Sequence, residues 1–165
     1  MKFQVVLILL LLTFYASFSR AQTFQKFKPN ALILEIGKTG LLYNLSFDHR
    51  FKDHHAGVRV GIGSNFAKYL NAFSTGGGAY YLFGKSERSF ELGVDLNYLS
   101  VNEISDDQKG FALIYPSYTI KTFYASLNCG YRKYKNKSLF RIGISPGIIK
   151  TALIPGGYIS YGFIF

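Results

Sequence analysis

The feature that most constrains the fold is a two-residue alternation of apolar and polar side chains, which recurs throughout the chain after residue 22. In residues 89–99 the even positions are apolar and nearly all the odd positions are polar or glycine. This period is that of a β-strand with two different faces, and no helical period is sustained. The alternation predicts eight strands, at residues 32–37, 41–51, 56–63, 73–83, 89–99, 123–132, 139–147 and 157–165.

The connections between these strands differ in length. Short polar turns occupy 52–55, 84–88 and 135–138, whereas longer connections lie around 67–72, 100–121 and 149–156, with a short turn at 37–40 as the exception. Short turns at one end, longer loops at the other and an even strand number are typical of a transmembrane barrel. The fold class is therefore predicted as all-β, an eight-stranded antiparallel up-and-down transmembrane β-barrel. Residues 111–120 contain Pro116 and are interpreted as part of the third long loop, with a strand extension as the alternative.

Glycine decides which face of the predicted strands is inside. The polar face carries glycines that would weaken a water-exposed strand without benefit, whereas in a narrow eight-stranded lumen they relieve crowding. We therefore expect the apolar face to meet lipid and the polar face to line the lumen. The glycines concerned are Gly37, Gly61, Gly63, Gly93, Gly130, Gly143 and Gly162.

The inward face also carries charges of both signs. Strands 1, 3, 5 and 7 share an apolar-charged-apolar-glycine string, whose charges run Glu, Arg, Glu, Arg around the barrel. Buried charges must be paired, and the inventory of four acids and four bases allows complete pairing. We predict a neutral, ion-paired structural network rather than an open channel, formed by Glu35, Asp48, Arg50, Arg59, Glu91, Asp95, Arg132 and Arg141. Most of the remaining positive charge falls at the short-turn end, and Lys38 is assigned to the long-loop end.

The N-terminal segment is predicted to be removed. Lys2 precedes a short apolar run, and Ser19 and Ala21 stand at the −3 and −1 positions of a cleavage site before Gln22, as in a secretory signal peptide. Residues 1–21 are therefore a signal peptide, 22–30 a periplasmic tail and 31–165 the barrel. Losing Lys2 and Arg20 lowers the net charge from +10 to +8. Because the chain is expected to be exported, no nucleic-acid partner is expected, and one cysteine excludes a disulfide framework.

The C-terminal strand carries a resemblance to a known family. Residues 157–165 place Tyr161, Phe163 and Phe165 on the lipid face and end the chain on an aromatic, which resembles the sorting signal that the outer-membrane barrel-assembly machinery reads. Together with residues 58–63 and 139–146, the chain is similar to the small eight-stranded outer-membrane proteins abundant in Bacteroidota, which share the plan of the barrel domain of outer-membrane protein A. The resemblance implies a porin-like barrel in the outer membrane of a Gram-negative cell and transfers little function.

Three functions remain open from the sequence. The first is a monomeric barrel in outer-membrane lipid with a structural or surface-interaction role, exerted through extracellular loops on an unknown ligand. The second is a lipid-modifying barrel hydrolase or acyltransferase, which would use Ser and His at the membrane face. His49 is expected near the periplasmic rim, whereas lipid A occupies the outer leaflet, and its nearest serine, Ser46, points inward. The third is an exported soluble barrel that binds a hydrophobic ligand. No catalytic, cofactor-binding or metal-binding residue is predicted.

Overall fold

The computed structural model describes residues 28–38, 42–52, 55–64, 72–85, 87–101, 120–149 and 152–165. Every regular element in these ranges is a β-strand, and they contain no helix long and apolar enough to cross a membrane. The predicted signal peptide and most of the N-terminal tail lie outside the described residues. The strands are β1 Asn30–Gly37, β2 Tyr43–Arg50, β3 Ala56–Ser64, β4 Ala72–Lys85, β5 Arg88–Val101, β6 Ile120–Lys135, β7 Ser138–Ile144, β8 Gly147–Ile149, β9 Ala152–Ile154 and β10 Gly157–Ile164.

The ten strands form a closed barrel. The paired strands are antiparallel, β1 pairs with β10, and the pairing of β5 with β6 closes the main body of the barrel. β8 continues β7 along β6 without a change of register, so the two form one long strand. In the same way, β9 and β10 form one long strand paired with β8 and β7. Pro146 and Pro155, which have no amide hydrogen to donate, interrupt these two long strands. The barrel therefore has eight antiparallel strands in effect, and the predicted fold class is confirmed.

Two of the predicted long connections are shorter than expected. The loop predicted around 149–156 is instead largely a continuation of the sheet, because β8 pairs with β9 from Gly147↔Ile154 to Ile149↔Ala152. Likewise, β5 continues through Val101 and pairs with Ile120 at the start of β6. Alternation alone missed the β8–β9 extension because proline and glycine break it at 146, 147, 155 and 156. The interpretation of 111–119 lies outside the described residues.

The interior of the barrel is layered from end to end. An apolar cluster closes the short-turn end, formed by Ala31, Ile33, Leu139 and Ile164. A second apolar cluster at the opposite end contains Ala72, Leu99, Val101 and Tyr124. Charged and polar side chains lie between the two clusters. The polar face lines the middle of the lumen as expected, whereas at its two ends large apolar side chains also point inward.

Candidate functional site in the barrel lumen

The structure places all eight predicted lumen charges inside the barrel. None is more than 9% exposed, and they come from six different strands. Their inward direction follows from strand parity, since each occupies the face opposite to the large exposed apolar residues. The structure also gives the position of each charge along the barrel axis, which the sequence does not, and this position determines which charges are in contact.

Glu91 lies at the centre of this network, because three arginines donate to its carboxylate. Arg59 Nη1 lies 3.1 Å from Oε1, and Arg132 Nε lies 2.7 Å from Oε2. Arg141 binds both oxygens, with Nη2 2.7 Å from Oε1 and Nε 3.0 Å from Oε2. Charge-assisted, bidentate hydrogen bonds of this kind are the strongest that side chains make. One carboxylate thus joins β3, β6 and β7 across the lumen.

The two aspartates extend the network in both directions. Asp95 accepts from Arg59 Nη2 at 3.3 Å on each oxygen. Asp48 accepts from Arg132 Nη2 at 3.1 Å and from the Tyr80 hydroxyl at 2.6 Å. Because Arg59 and Arg132 each bridge Glu91 and an aspartate, the charges form one connected system rather than isolated pairs.

Glu35 forms the part of the network nearest the β1–β10 junction. Its Oε2 atom accepts from Arg141 Nη1 at 2.8 Å and from the Ser160 hydroxyl at 2.6 Å. Ser160 stands directly opposite Glu35 in the register of β1 and β10. The serine therefore fixes the carboxylate at the position where Arg141 reaches it.

Lys38 follows β1 at the long-loop end, as predicted, but its side chain enters the barrel and is a ninth lumen charge that the predicted inventory left out. Its side chain is 8% exposed, and Nζ lies 2.5 Å from Asp95 Oδ2 and 3.6 Å from Glu35 Oε1. The backbone turns back at this point, since Gly37 and Lys38 have φ values of 87° and 60°, a region that costs an ordinary residue conformational energy. Five bases then face four acids, so the lumen carries +1 instead of the predicted zero.

Buried tyrosines, which sequence reasoning did not single out, support the guanidinium groups. Arg132 lies over the Tyr80 ring, with Cζ 4.2 Å from its centroid, and Arg141 lies 4.8 Å from that of Tyr158. Arg50 stacks on Tyr134 at 4.3 Å. Such cation–π contacts stabilise a cation that has left water. The alternating pattern does place these tyrosines on the inward face, which is the signal that could have identified them.

Glycines make room for these tyrosines. A Cβ atom on Gly57 would collide with the Tyr80 ring, and one on Gly130 would lie 2.5 Å from the Tyr158 hydroxyl. On β4, a Cβ on Gly78 would collide with the Asp95 carboxylate. The inward glycines thus allow bulky side chains from neighbouring strands to cross the lumen, as expected for a narrow barrel.

The described lumen contains a small polar cavity towards the long-loop end. It lies between Glu35, Lys38, Arg59 and Asp95 and has about 20 Å³ of space, enough for about one water molecule. A binding site for a drug-sized apolar ligand needs several hundred Å³ and mostly apolar walls. This cavity meets neither requirement.

The described histidines bind neighbouring groups at the short-turn end. His49 Nδ1 lies 2.8 Å from Asn30 Oδ1, and His55 Nδ1 lies 3.1 Å from the Leu82 carbonyl oxygen. In the described ranges, no group of three or more His, Cys, Asp or Glu side chains is arranged to hold a metal ion. His54 lies outside the described residues.

The outer surface of the barrel is apolar. Large hydrophobic side chains are exposed on all eight barrel strands, including Leu96 at 61% and Phe123 at 68%. Of the residues in the resemblance to a sorting signal, Tyr161, Phe163 and Phe165 are all exposed on this surface. Phe165 also closes the barrel, because its amide donates to the Asn30 carbonyl at 2.9 Å and its ring lies near that of Phe47.

Comparisons with known proteins identify this architecture. No protein-family model and no curated protein matches the sequence. Among solved structures, the chain is similar to the N-terminal β-barrel domain of Pseudomonas aeruginosa OprF, with a TM-score of 0.64 at 15% identity over 84% of this chain and all of that one. It is also similar to the Yersinia pestis outer membrane protein Ail in a phospholipid nanodisc, with a TM-score of 0.51 at 9% identity and the same coverage. The chain has the fold of small outer-membrane β-barrel proteins.

Proposed function

We propose that this chain is an outer-membrane barrel with a side-chain-filled lumen, which serves as a structural anchor and presents its extracellular loops for surface interactions. The observation that carries the proposal is the inversion of polarity: charges are paired inside, while large apolar side chains cover the outside. A soluble barrel would place its apolar face inward and its charges in water. Lipid is the solvent in which the observed arrangement is stable.

The filled lumen favours anchoring over transport. The Glu91 network spans the lumen at mid-height, and apolar clusters lie at both ends. The exported soluble barrel with a hydrophobic ligand has little support, since the cavity described among the lumen residues is polar and holds about one water molecule. A surface role would therefore fall to the loops, chiefly residues 102–119, and the ligand is unassigned.

The C-terminal aromatics support assembly as an outer-membrane protein. Phe165 and Phe163 are exposed on the last strand, where the barrel-assembly machinery would read them. Membership of the Bacteroidota-type group of small barrels remains part of this proposal and rests on the residue strings in strands β3, β7 and β10. A monomer is expected, because the pairing of β1 with β10 and of β5 with β6 closes the main body of the barrel within one chain.

A lipid-modifying enzyme is the alternative, and no described contact favours it. A serine–histidine pair at the membrane face would be required, whereas His49 binds Asn30 near the short-turn end. Comparing lipid A by mass spectrometry from cells with and without the gene separates the two functions: unchanged lipid A supports the anchor, and a missing modification supports the enzyme.

Fractionation and conductance test the main proposal. The native chain should fractionate with outer membranes, migrate faster on a gel before boiling than after it, and give no sustained current in a planar bilayer. Recovery in the soluble periplasm would overturn the membrane assignment. Stable open-channel currents would overturn the filled lumen while leaving the membrane assignment intact.

A further inference from the structure

A row of cations on the outer surface at the short-turn end binds no described partner. Arg88 at the start of β5 stands directly opposite Lys133 on β6, and both side chains are exposed and point away from the lumen. Lys135 lies on the same outward face of β6. Like charges directly opposite each other on a sheet destabilise it, so this pairing is unfavourable unless an anion lies between them.

The described part of the chain supplies no such anion. None of its ion pairs involves Arg88, Lys133 or Lys135. Glu87, the exposed acid in the adjacent turn, forms no ion pair with them. Within the described residues, the unfavourable pairing is therefore not neutralised by any acid of the chain.

Aromatic side chains lie one step towards the barrel middle from these cations. Phe90 pairs with Tyr131 immediately above the Arg88–Lys133 pair, and Phe140 stands opposite Lys133 on β7. All three rings are exposed. Aromatic residues at this height mark the boundary between headgroups and acyl chains in outer-membrane barrels, so the cations lie at headgroup level.

We propose that Arg88 and Lys133 form a binding site for the phosphate of an anionic phospholipid in the periplasmic leaflet, with Phe90, Tyr131 and Phe140 packing against its glycerol and acyl region. This site rests on the proposed function, because it requires the short-turn end to face the periplasm. Charge complementarity assigns the phosphate, and the adjoining aromatic surface assigns a lipid rather than a free anion.

Lipid retention tests the site. The full barrel is refolded into phosphatidylcholine vesicles that contain a minority of phosphatidylglycerol, and native mass spectrometry measures the phosphatidylglycerol that stays bound. Lys133→Gln should reduce retention roughly five-fold, and Arg88→Gln with Lys133→Gln should reduce it further. The matched control is Lys121→Gln, which removes an exposed, outward cation at the opposite end of the same strand and should retain phosphatidylglycerol as the unaltered chain does.

The outcomes separate this site from the membrane assignment. Insertion is read independently, as the gel shift on boiling. Normal insertion with equal retention by Lys133→Gln and the unaltered chain, or equal losses with Lys133→Gln and Lys121→Gln, would overturn the lipid site alone. Retention of phosphatidylglycerol no better than that of phosphatidylcholine would overturn the assignment to an anionic lipid. Failure of the unaltered chain to insert would overturn both proposals.

Discussion

Arg132 and Arg141 are direct cross-strand partners on β6 and β7, and both donate to the carboxylate of Glu91. Two like charges in this register repel each other, so the pairing is tolerable only because β5 places an acid between them. Arg59 donates to the same carboxylate from β3. Glu91 is thus the residue on which the largest number of lumen cations depend.

Neutralising Glu91 should therefore destabilise the barrel strongly. Glu91→Gln keeps the shape of the side chain but leaves three buried guanidinium groups with too little negative charge. Removing one partner from a buried ion pair costs about 3–5 kcal/mol, so the urea midpoint for unfolding from lipid vesicles should fall accordingly. The matched control is Glu87→Gln in an exposed turn, where the midpoint should hardly move. Equal midpoints for both variants would show that the network does not stabilise the barrel.

Replacing Lys38, at the long-loop end of the lumen, should lower the stability of the barrel less than replacing Glu91. Lys38→Met removes the cation beside Asp95 and Glu35, but Arg59 still binds Asp95 and Arg141 still binds Glu35. We expect a free energy of unfolding lower by about 1–3 kcal/mol, the usual cost of leaving a buried polar group partly unsatisfied, and smaller than that for Glu91→Gln. The same urea titration measures it. A loss as large as that for Glu91→Gln would mean that Lys38 organises the network.

Gly130 tests whether the lumen glycines are required by space. In Gly130→Ala the new methyl group would lie 2.5 Å from both the Ile142 carbonyl oxygen and the Tyr158 hydroxyl. Overpacking of this kind costs about 1–3 kcal/mol. In the control Gly157→Ala, the new methyl group would lie 3.5 Å from the Gly143 carbonyl oxygen, an ordinary contact. Thermal unfolding should separate the two variants, and equal stabilities would contradict a steric role.

Substitution of Phe165 can distinguish a role in sorting to the outer membrane from a role in packing against Phe47. Phe165→Ala and Phe47→Ala each remove one ring of the same aromatic contact, but only the first alters the terminal residue. If the terminus is the sorting signal, both variants should refold comparably in vesicles, whereas only Phe165→Ala should reach the outer membrane in reduced amount. The measurement is the quantity of heat-shifted barrel in the outer-membrane fraction. Equal cellular amounts for the two variants would contradict the signal.

The alternating pattern was sufficient to predict the eight strands and the inward direction of eight of the nine lumen charges. It could not predict which charges meet, because strand parity carries no information on height along the barrel axis. Arg141 and Glu35 are far apart in sequence and become partners only through closure and the stagger of the strands. The pairing pattern of the network is therefore a property of the closed barrel.

Other features escaped prediction for local reasons. Lys38 lies beyond the alternating segment, and its inward direction depends on the positive φ values of a turn. Leu139 and Leu99 face inward although the lumen was expected to be polar. Strand parity predicts which face a residue occupies, but it does not predict how far along the barrel axis the charged layer ends and the apolar clusters begin. Pro146 interrupts the pattern without ending the pairing of the strand.

Fluorescence quenching of two neighbouring tryptophans tests most directly whether the apolar face meets lipid. The chain contains no Trp, so Phe123→Trp and Tyr124→Trp each introduce a single probe at the same depth on β6, where Phe123 is 68% exposed and Tyr124 is 3% exposed. In vesicles of lipids brominated along their acyl chains, Trp at 123 should be strongly quenched and Trp at 124 should be nearly unaffected. Strong quenching at 124, or quenching at 123 by aqueous acrylamide instead of by lipid, would contradict a lipid-facing exterior around an ion-paired lumen.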